Sequence, residues 1–154
     1  GLIEQGKPVT LTDERMTRFI ITHEEACELI FNAMKYGVGG EVFVPKLPAF
    51  KITDLIDILY EEAGKEPDVQ VIGLRPGEKI DELMINSVEV PRTYDFKDLY
   101  VISSEIERHK TVEKPHYKES RRLLSHDDFL EYSSASAVKS QEEIKQLLKE
   151  KGVL

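Results

Sequence analysis

Arg75, Pro76, Gly77, Glu78 and Lys79 stand together in the order R-P-G-E-K after an apolar run. Proline disfavours the helical region for the residue before it, and glycine tolerates a positive φ. The pair therefore turns the backbone sharply and leaves Arg75 extended at the end of the preceding run. A guanidinium held there presents a planar fork of donors that matches a phosphate, and Glu78 in the same loop suits the vicinal hydroxyls of a ribose. A plain Pro-Gly turn with a solvated arginine and a glutamate at a helix start uses the same residues, and local chemistry leaves both readings open. A second basic spot is Arg15-Met16-Thr17-Arg18. In extended backbone its two arginines fall on opposite faces, so at most one meets a given ligand. Arg18 is the candidate because it borders an apolar strand; a surface arginine paired with Asp13 or Glu14 is the competing account.

Other chemistries lack their residues. His23, His109, His116 and His126 have no companions at metal-ligand spacing, Cys27 is alone, and no metal site is expected. Cys27 is one helical turn before Ile30 and Phe31 and is expected to pack beside them as a small apolar residue. Ser133, Ser134 and Ser136 form a small-residue stretch without a G-x-S-x-G elbow, so no nucleophilic hydrolase is indicated. The carboxylate pairs Glu61-Glu62, Asp127-Asp128 and Glu142-Glu143 read as solvated edges, and no catalytic residue is assigned.

The elements that must position the arginines follow from spacing. Lys7 to Thr12 and Arg18 to Ile21 read as strands. Thr22 with Glu25 forms a capping box that opens a helix over 23–36, its apolar face Ala26, Leu29, Ile30, Ala33 and Met34. Glu41 to Val44 is a strand stopped by Pro45. A second helix is predicted from about Asp54 to Ala63, capped by Thr53, faced by Leu55, Ile56, Ile58 and Leu59, and ended by Gly64. Val69 to Leu74 is strand-like, and a short helix over 78–85 presents Ile80, Leu83 and Met84. Leu99 to Ile102 is a further strand, Ser103 to Arg122 a surface loop, and Ser140 with Glu143 caps a final helix ended by Gly152. Strands alternate with helices, which predicts an α/β fold or a compact α+β lobe. Leu2 to Gly6 resembles a helix's last turn closed by glycine, so the sequence is expected to continue upstream.

With 154 residues the chain suits one ordinary core. Its 21 Lys plus Arg against 29 Asp plus Glu give a net charge of -8, which argues against a sequence-independent nucleic-acid binder. Apolar runs such as Phe19-Ile20-Ile21 are far shorter than the ~20 residues of a membrane span. The start shows no leader pattern and a single cysteine forms no internal disulfide, so a cytoplasmic location is expected.

Four segments carry a family resemblance: G-K-P-V-T-L-T-D from Gly6 to Asp13, M-T-R-F-I-I-T from Met16 to Thr22, G-G-E-V-F-V-P-K from Gly39 to Lys46, and G-L-R-P-G-E-K from Gly73 to Lys79. With Tyr100 to Ile102, Tyr132-Ser133-Ser134 and the final helix, the chain resembles the C-terminal part of bacterial UDP-N-acetylglucosamine 4,6-dehydratases and epimerases of polysaccharide biosynthesis. These belong to the extended short-chain dehydrogenase/reductase superfamily. The resemblance implies a UDP-sugar-binding lobe over residues 1–102 and a C-terminal extension over 103–154. It places Arg18 and Arg75 on the diphosphate and Glu78 on the ribose. It also implies an NAD(P) cofactor and a homo-oligomer for the complete enzyme. The sequence has neither a glycine-rich dinucleotide turn nor a Tyr with Lys four residues on; Tyr117 comes nearest, followed by Arg121. The cofactor-binding Rossmann half is therefore expected to lie outside the chain, which would bind no cofactor and be inactive alone. A free-standing nucleotide-binding module and a purely structural protein are the alternatives.

Overall fold

The computed structural model describes residues 1–104 and 123–154, so most of the surface loop expected over 103–122 lies outside the described residues, as do His109, Pro115, His116 and Tyr117. In chain order come β1 (Val9–Leu11), β2 (Thr17–Phe19), α1 (His23–Tyr36), β3 (Val42–Pro45), β4 (Ala49–Lys51), α2 (Ile52–Glu62) and β5 (Val69–Val71). They are followed by β6 (Leu83–Ile85), β7 (Thr93–Phe96), β8 (Leu99–Ile102), β9 (Tyr132–Ser133) and α3 (Gln141–Glu150). The fold is mixed α/β, and it divides into two compact units, each built from separated stretches of sequence.

The first unit comprises Gly1–Ile20, Pro48–Glu82 and Ser133–Leu154. In it β1 runs parallel to β5, with Val9 opposite Val69 and Leu11 opposite Val71. The β2 strand runs antiparallel to β4, pairing Thr17 with Lys51 and Phe19 with Ala49. Helix α2 has two buried faces. Ile56 and Tyr60 pack with Leu11, while Ile58 packs with Phe50 and with Ile144 and Leu148 of α3. An amphipathic helix has one apolar stripe, so burial on both sides accounts for the near-continuous apolar run Leu55 to Tyr60. The helix begins at Ile52, earlier than predicted, because β4 delivers Lys51 as the cap and the Ile52 N–H donates to Met16 O at 3.0 Å. The Thr53 hydroxyl lies on Asp54 and caps nothing. Gly64 ends α2 as expected, with φ at +61°. Around it Lys65 N–H reaches Tyr60 O and Gly64 N–H reaches Glu61 O, the paired bonds of a Schellman turn. The same pair recurs at Gly6, from Lys7 to Leu2 and from Gly6 to Ile3, where a glycine-closed turn was read.

The helix predicted over 78–85 does not form, and Leu83–Ile85 is strand β6. A helix there needs the carbonyls of Lys79 and Ile80 for its first bonds. Both are already taken: Ile80 O accepts from Thr17 N–H and from Arg18, and Lys79 O from Arg18. A helix of about two turns with a costly nucleus loses to those long-range bonds.

The second unit comprises Ile21–Leu47 and Leu83–Tyr132. Its sheet is antiparallel in the order β3-β8-β7, with Val44 opposite Tyr100 and Asp95 opposite Tyr100 from the other side. Phe96, Leu99 and Val101 form the core under α1, whose Leu29 and Tyr36 pack on them. The Thr22 and Glu25 capping box forms as read. The outward side of α1 departs from expectation. Ile30, Phe31 and Met34 are 60%, 67% and 76% exposed, and Cys27 is exposed with them and not packed inside. Tyr132 is buried, and its hydroxyl both donates to Leu47 O (3.1 Å) and accepts from Leu47 N–H (2.8 Å).

Candidate functional site

The site is built where β1 and β5 end side by side in the first unit. Ile72 N–H donates to Leu11 O at 2.8 Å, so the chain leaves the pair next to Thr12. Arg75 to Glu78 then turns: Glu78 N–H donates to Arg75 O at 3.1 Å, and Gly77 at the third position has φ at +82°. Proline second and glycine third with positive φ is the type II β-turn, so the sequence reading of the bend is met residue by residue. The Glu78 carboxylate locks it. One oxygen accepts from Arg75 N–H (3.2 Å) and the other from the Thr12 hydroxyl (3.2 Å). Each oxygen keeps a second lone pair for a further donor. Arg75 is exposed, and its guanidinium has no hydrogen-bond or ion-pair partner among the described residues.

Arg18 reaches the residues directly after this turn. Its Nη1 donates to Thr17 O (2.6 Å) and Ile80 O (2.8 Å), its Nη2 to Lys79 O (2.9 Å), and Nε lies 3.6 Å from Glu82. The structure thus brings all three sequence candidates to one stretch, Arg75 and Glu78 in the turn and Arg18 against Lys79 and Ile80. They differ in availability: the Arg75 fork is open, while Arg18 spends its donors on backbone, the Lys79 bond being the solvent-exposed one. Arg15 goes elsewhere, as the competing account of this spot had it. It forms a bidentate pair with Asp13 (2.9 and 2.8 Å), which lowers the Asp13 carboxyl to about 2.

Beneath Arg18 lies a polar network that sequence reasoning did not find. The buried Thr17 hydroxyl donates to Asp81 at 2.7 Å and lies 2.5 Å from the buried Ser134 hydroxyl. With the Thr17 proton on Asp81, Ser134 is left as the donor in the shared contact. Ser134 Oγ also accepts from Glu82 N–H (2.8 Å), and Glu82 O accepts from Ser134 N–H (2.8 Å). The network therefore fixes residues 80–82 on β2, and it gives Ser134 a structural task. No local spacing announces it, since Thr17 and Ser134 are 117 positions apart.

Residues 1–104 match the family model described as polysaccharide biosynthesis protein. The chain is 41% identical over 106 residues to a UDP-N-acetylglucosamine 4,6-dehydratase (inverting) of Campylobacter jejuni, covering 68% of this chain and 30% of that protein. It is 30% identical over 146 residues to a UDP-glucose 4-epimerase of Rickettsia canadensis, covering 95% of this chain and 42% of the relative. The X-ray structure of Pen from Bacillus thuringiensis superposes with a TM-score of 0.82 at 28% identity over 99% of this chain and 44% of that one. The chain thus spans less than half the length of these proteins.

Proposed function

We propose, from the premise that this chain belongs to the polysaccharide biosynthesis protein family matched by residues 1–104, that it supplies the UDP-sugar-binding portion of a nucleotide-sugar 4,6-dehydratase. The observation that carries the proposal is the Arg75–Glu78 turn: a guanidinium unpaired among the described residues and a carboxylate with spare lone pairs, held in one hydrogen-bonded bend. In an acidic chain, a basic fork without an acidic partner is a local device for an anion. Arg75 takes the diphosphate bidentately, and Glu78 accepts from a ribose hydroxyl while keeping Thr12. Arg18 faces the same stretch, and a phosphate competes for its exposed Lys79-bonded donor. Relatives bearing dehydratase and epimerase names share the nucleotide-binding task, so UDP-sugar 4-epimerisation is the second reading.

The reading places NAD(P) in a half outside this chain. A dinucleotide's phosphates are held by a glycine-rich turn leading from a strand into a helix N-terminus. Here β5 leads into an exposed non-helical loop, so these residues do not fit that group. The chain's own share of the reaction is to bind the nucleotide and aim the sugar, which lowers the barrier by orientation. It has no turnover alone.

Titration of the chain with UDP, followed by NMR, tests the assignment. Saturable shifts at Arg75, Glu78 and Lys79 are expected. Arg75→Ala, which removes charge-assisted bonds of about 1.5–3 kcal/mol, weakens UDP roughly 10- to 100-fold without altering the fold. Glu78→Gln weakens UDP more than pyrophosphate; equal losses contradict the ribose assignment.

A further inference from the structure

Lys97 is the one non-glycine residue with a positive φ, +54°, among the described residues. It opens the two-residue turn between β7 and β8, whose flanking pair is Phe96 and Leu99. Glycine or asparagine is the usual occupant of such backbone, and a lysine there is strained. What the strained position delivers is a side chain. Lys97 Nζ donates to the Tyr36 hydroxyl at 2.7 Å and lies 4.7 Å from the centre of the Tyr36 ring, which is fixed edge-on against the buried Phe96 at 4.9 Å. Lys35 Nζ lies 5.2 Å from the centre of the same ring. The Lys97 bond, and after it Lys35, hold the Tyr36 hydroxyl below its ordinary pKa. The negative end of α1 accounts for Lys35 and leaves Lys97 unexplained. Neither lysine has a carboxylate partner among the described residues, although the chain carries a net charge of -8. Two like charges therefore meet at one phenol without a counter-ion.

Lys97 also lines a cavity of about 290 Å³ between α1 and this turn, with Leu29, Leu47 and Leu99 as its apolar wall. Asn32, in the same wall, is one helical turn before Tyr36, so the cavity side of α1 runs on to the phenol. Glu25 and Lys46 are spent, on the Thr22 cap and on Asp95. The side chains of Glu28, Asn32 and Asp98 have no hydrogen-bond or ion-pair partner among the described residues. Unspent capacity is thus sorted by position. At one end stand donors only, the Tyr36 O–H and the remaining protons of Lys97 and Lys35; at the other stand two carboxylates and an amide. Donors without a counter-ion match the oxygens of a phosphate, and carboxylates with an amide beside an apolar wall match the hydroxyls of a sugar ring. The volume is at the lower end of the ~300–1,000 Å³ of small-molecule sites, which suits a single ring and is short for a nucleotide sugar. We propose that this cavity is a site for a phosphorylated monosaccharide, its phosphate on Lys97, Tyr36 and Lys35 and its hydroxyls on Glu28, Asn32 and Asp98. None of these residues takes part in the nucleotide site proposed above.

Glucose 1-phosphate, glucose 6-phosphate, inorganic phosphate and glucose, each titrated at constant ionic strength and followed by NMR, test the site. The Arg75→Ala chain is used beside the wild type, so that phosphate taken up at the Arg75–Glu78 turn is not counted. At least one sugar phosphate is expected to give saturable shifts at Asn32, Tyr36, Lys97 and Asp98 in both chains, binding roughly tenfold or more tighter than inorganic phosphate. Glucose gives none. Lys97→Gly suits the +54° backbone and so keeps the turn while removing the ammonium; it should weaken the sugar phosphate by about tenfold or more. Tyr36→Phe keeps the ring on Phe96 and should weaken it by roughly threefold to tenfold. Asp98→Asn should narrow the advantage over inorganic phosphate and leave inorganic phosphate binding no weaker. Absence of saturable shifts with either sugar phosphate at millimolar concentration overturns the proposal. So does a sugar phosphate that binds no tighter than inorganic phosphate, or an affinity unchanged in a folded Lys97→Gly chain, which would leave Lys97 as a packing partner of Tyr36.

Discussion

At the residue scale the decisive contrast is between three arginines of the first unit. Arg15 is spent on Asp13, Arg18 on the backbone of residues 17, 79 and 80, and Arg75 on nothing among the described residues. Residue types alone did not separate them. The partner of Arg15 is two positions away and was legible, while two of the three carbonyls that receive Arg18, those of Lys79 and Ile80, are more than 60 positions away and were not. The Asp13 pairing gives a direct check. The Arg15 guanidinium holds the Asp13 carboxyl at about 2, below its ordinary value, so the pair supports the fold above the unfolded pKa of ~3.9. That support is lost as pH falls through about 2. Carbon-detected NMR should place the Asp13 midpoint there, and Arg15→Ala should return it to the ordinary carboxylate range. A wild-type midpoint already in that range contradicts the pairing.

At the scale of elements, what was legible is what is local. The capping boxes at Thr22 and Ser140 and the glycine stops at Gly64 and Gly152 were read correctly because each is complete within a few residues. The strands β4 and β6 were not foreseen, since each is short and held by a partner remote in sequence. Strand β7 forms a hairpin with the adjacent β8 and was missed because its turn, Lys97-Asp98, carries no glycine or asparagine signal. The failed helix over 78–85 shows the same competition: apolar spacing favoured it, but Thr17 and Arg18 had claimed its carbonyls. The turn between β5 and that segment was legible because Pro76 and Gly77 fix it themselves. Gly77→Ala meets no atom within 4 Å but must adopt φ near +82°. It should cost roughly 1–2 kcal/mol, or splay the turn and loosen Arg75 from Glu78. Chemical denaturation with UDP titration distinguishes the two; an unchanged midpoint with unchanged affinity contradicts the type II assignment. Ser134→Ala leaves Glu82 N–H and Thr17 without their buried partner and should cost about 1–3 kcal/mol. The Tyr132→Phe change, which strips both Leu47 backbone groups, belongs in the same range, and denaturation midpoints check both.

At the scale of the whole molecule, two compact units emerge from a chain whose composition suggested one core. Each unit collects segments far apart in sequence, which composition and periodicity do not reveal. The resemblance of the Gly6–Asp13, Met16–Thr22, Gly39–Lys46 and Gly73–Lys79 segments pointed to the family that residues 1–104 then matched. These segments fall where the chemistry and the core demand particular residues: Thr12 on Glu78, Arg18 on the 79–80 backbone, β3 in its sheet, and the Arg75–Glu78 turn. Among the described residues no helix is long and apolar enough to cross a membrane.

The central claim is that the Arg75–Glu78 bend is a preformed nucleotide diphosphate site, and NMR titration with UDP, with uridine as the control and Arg75→Ala beside the wild type, tests it most directly. Saturable shifts are expected with UDP around Arg75, Glu78 and Lys79, absent with uridine alone and lost in the variant. A folded chain that shows no shifts at millimolar UDP, or the same shifts with and without the Arg75 guanidinium, contradicts it.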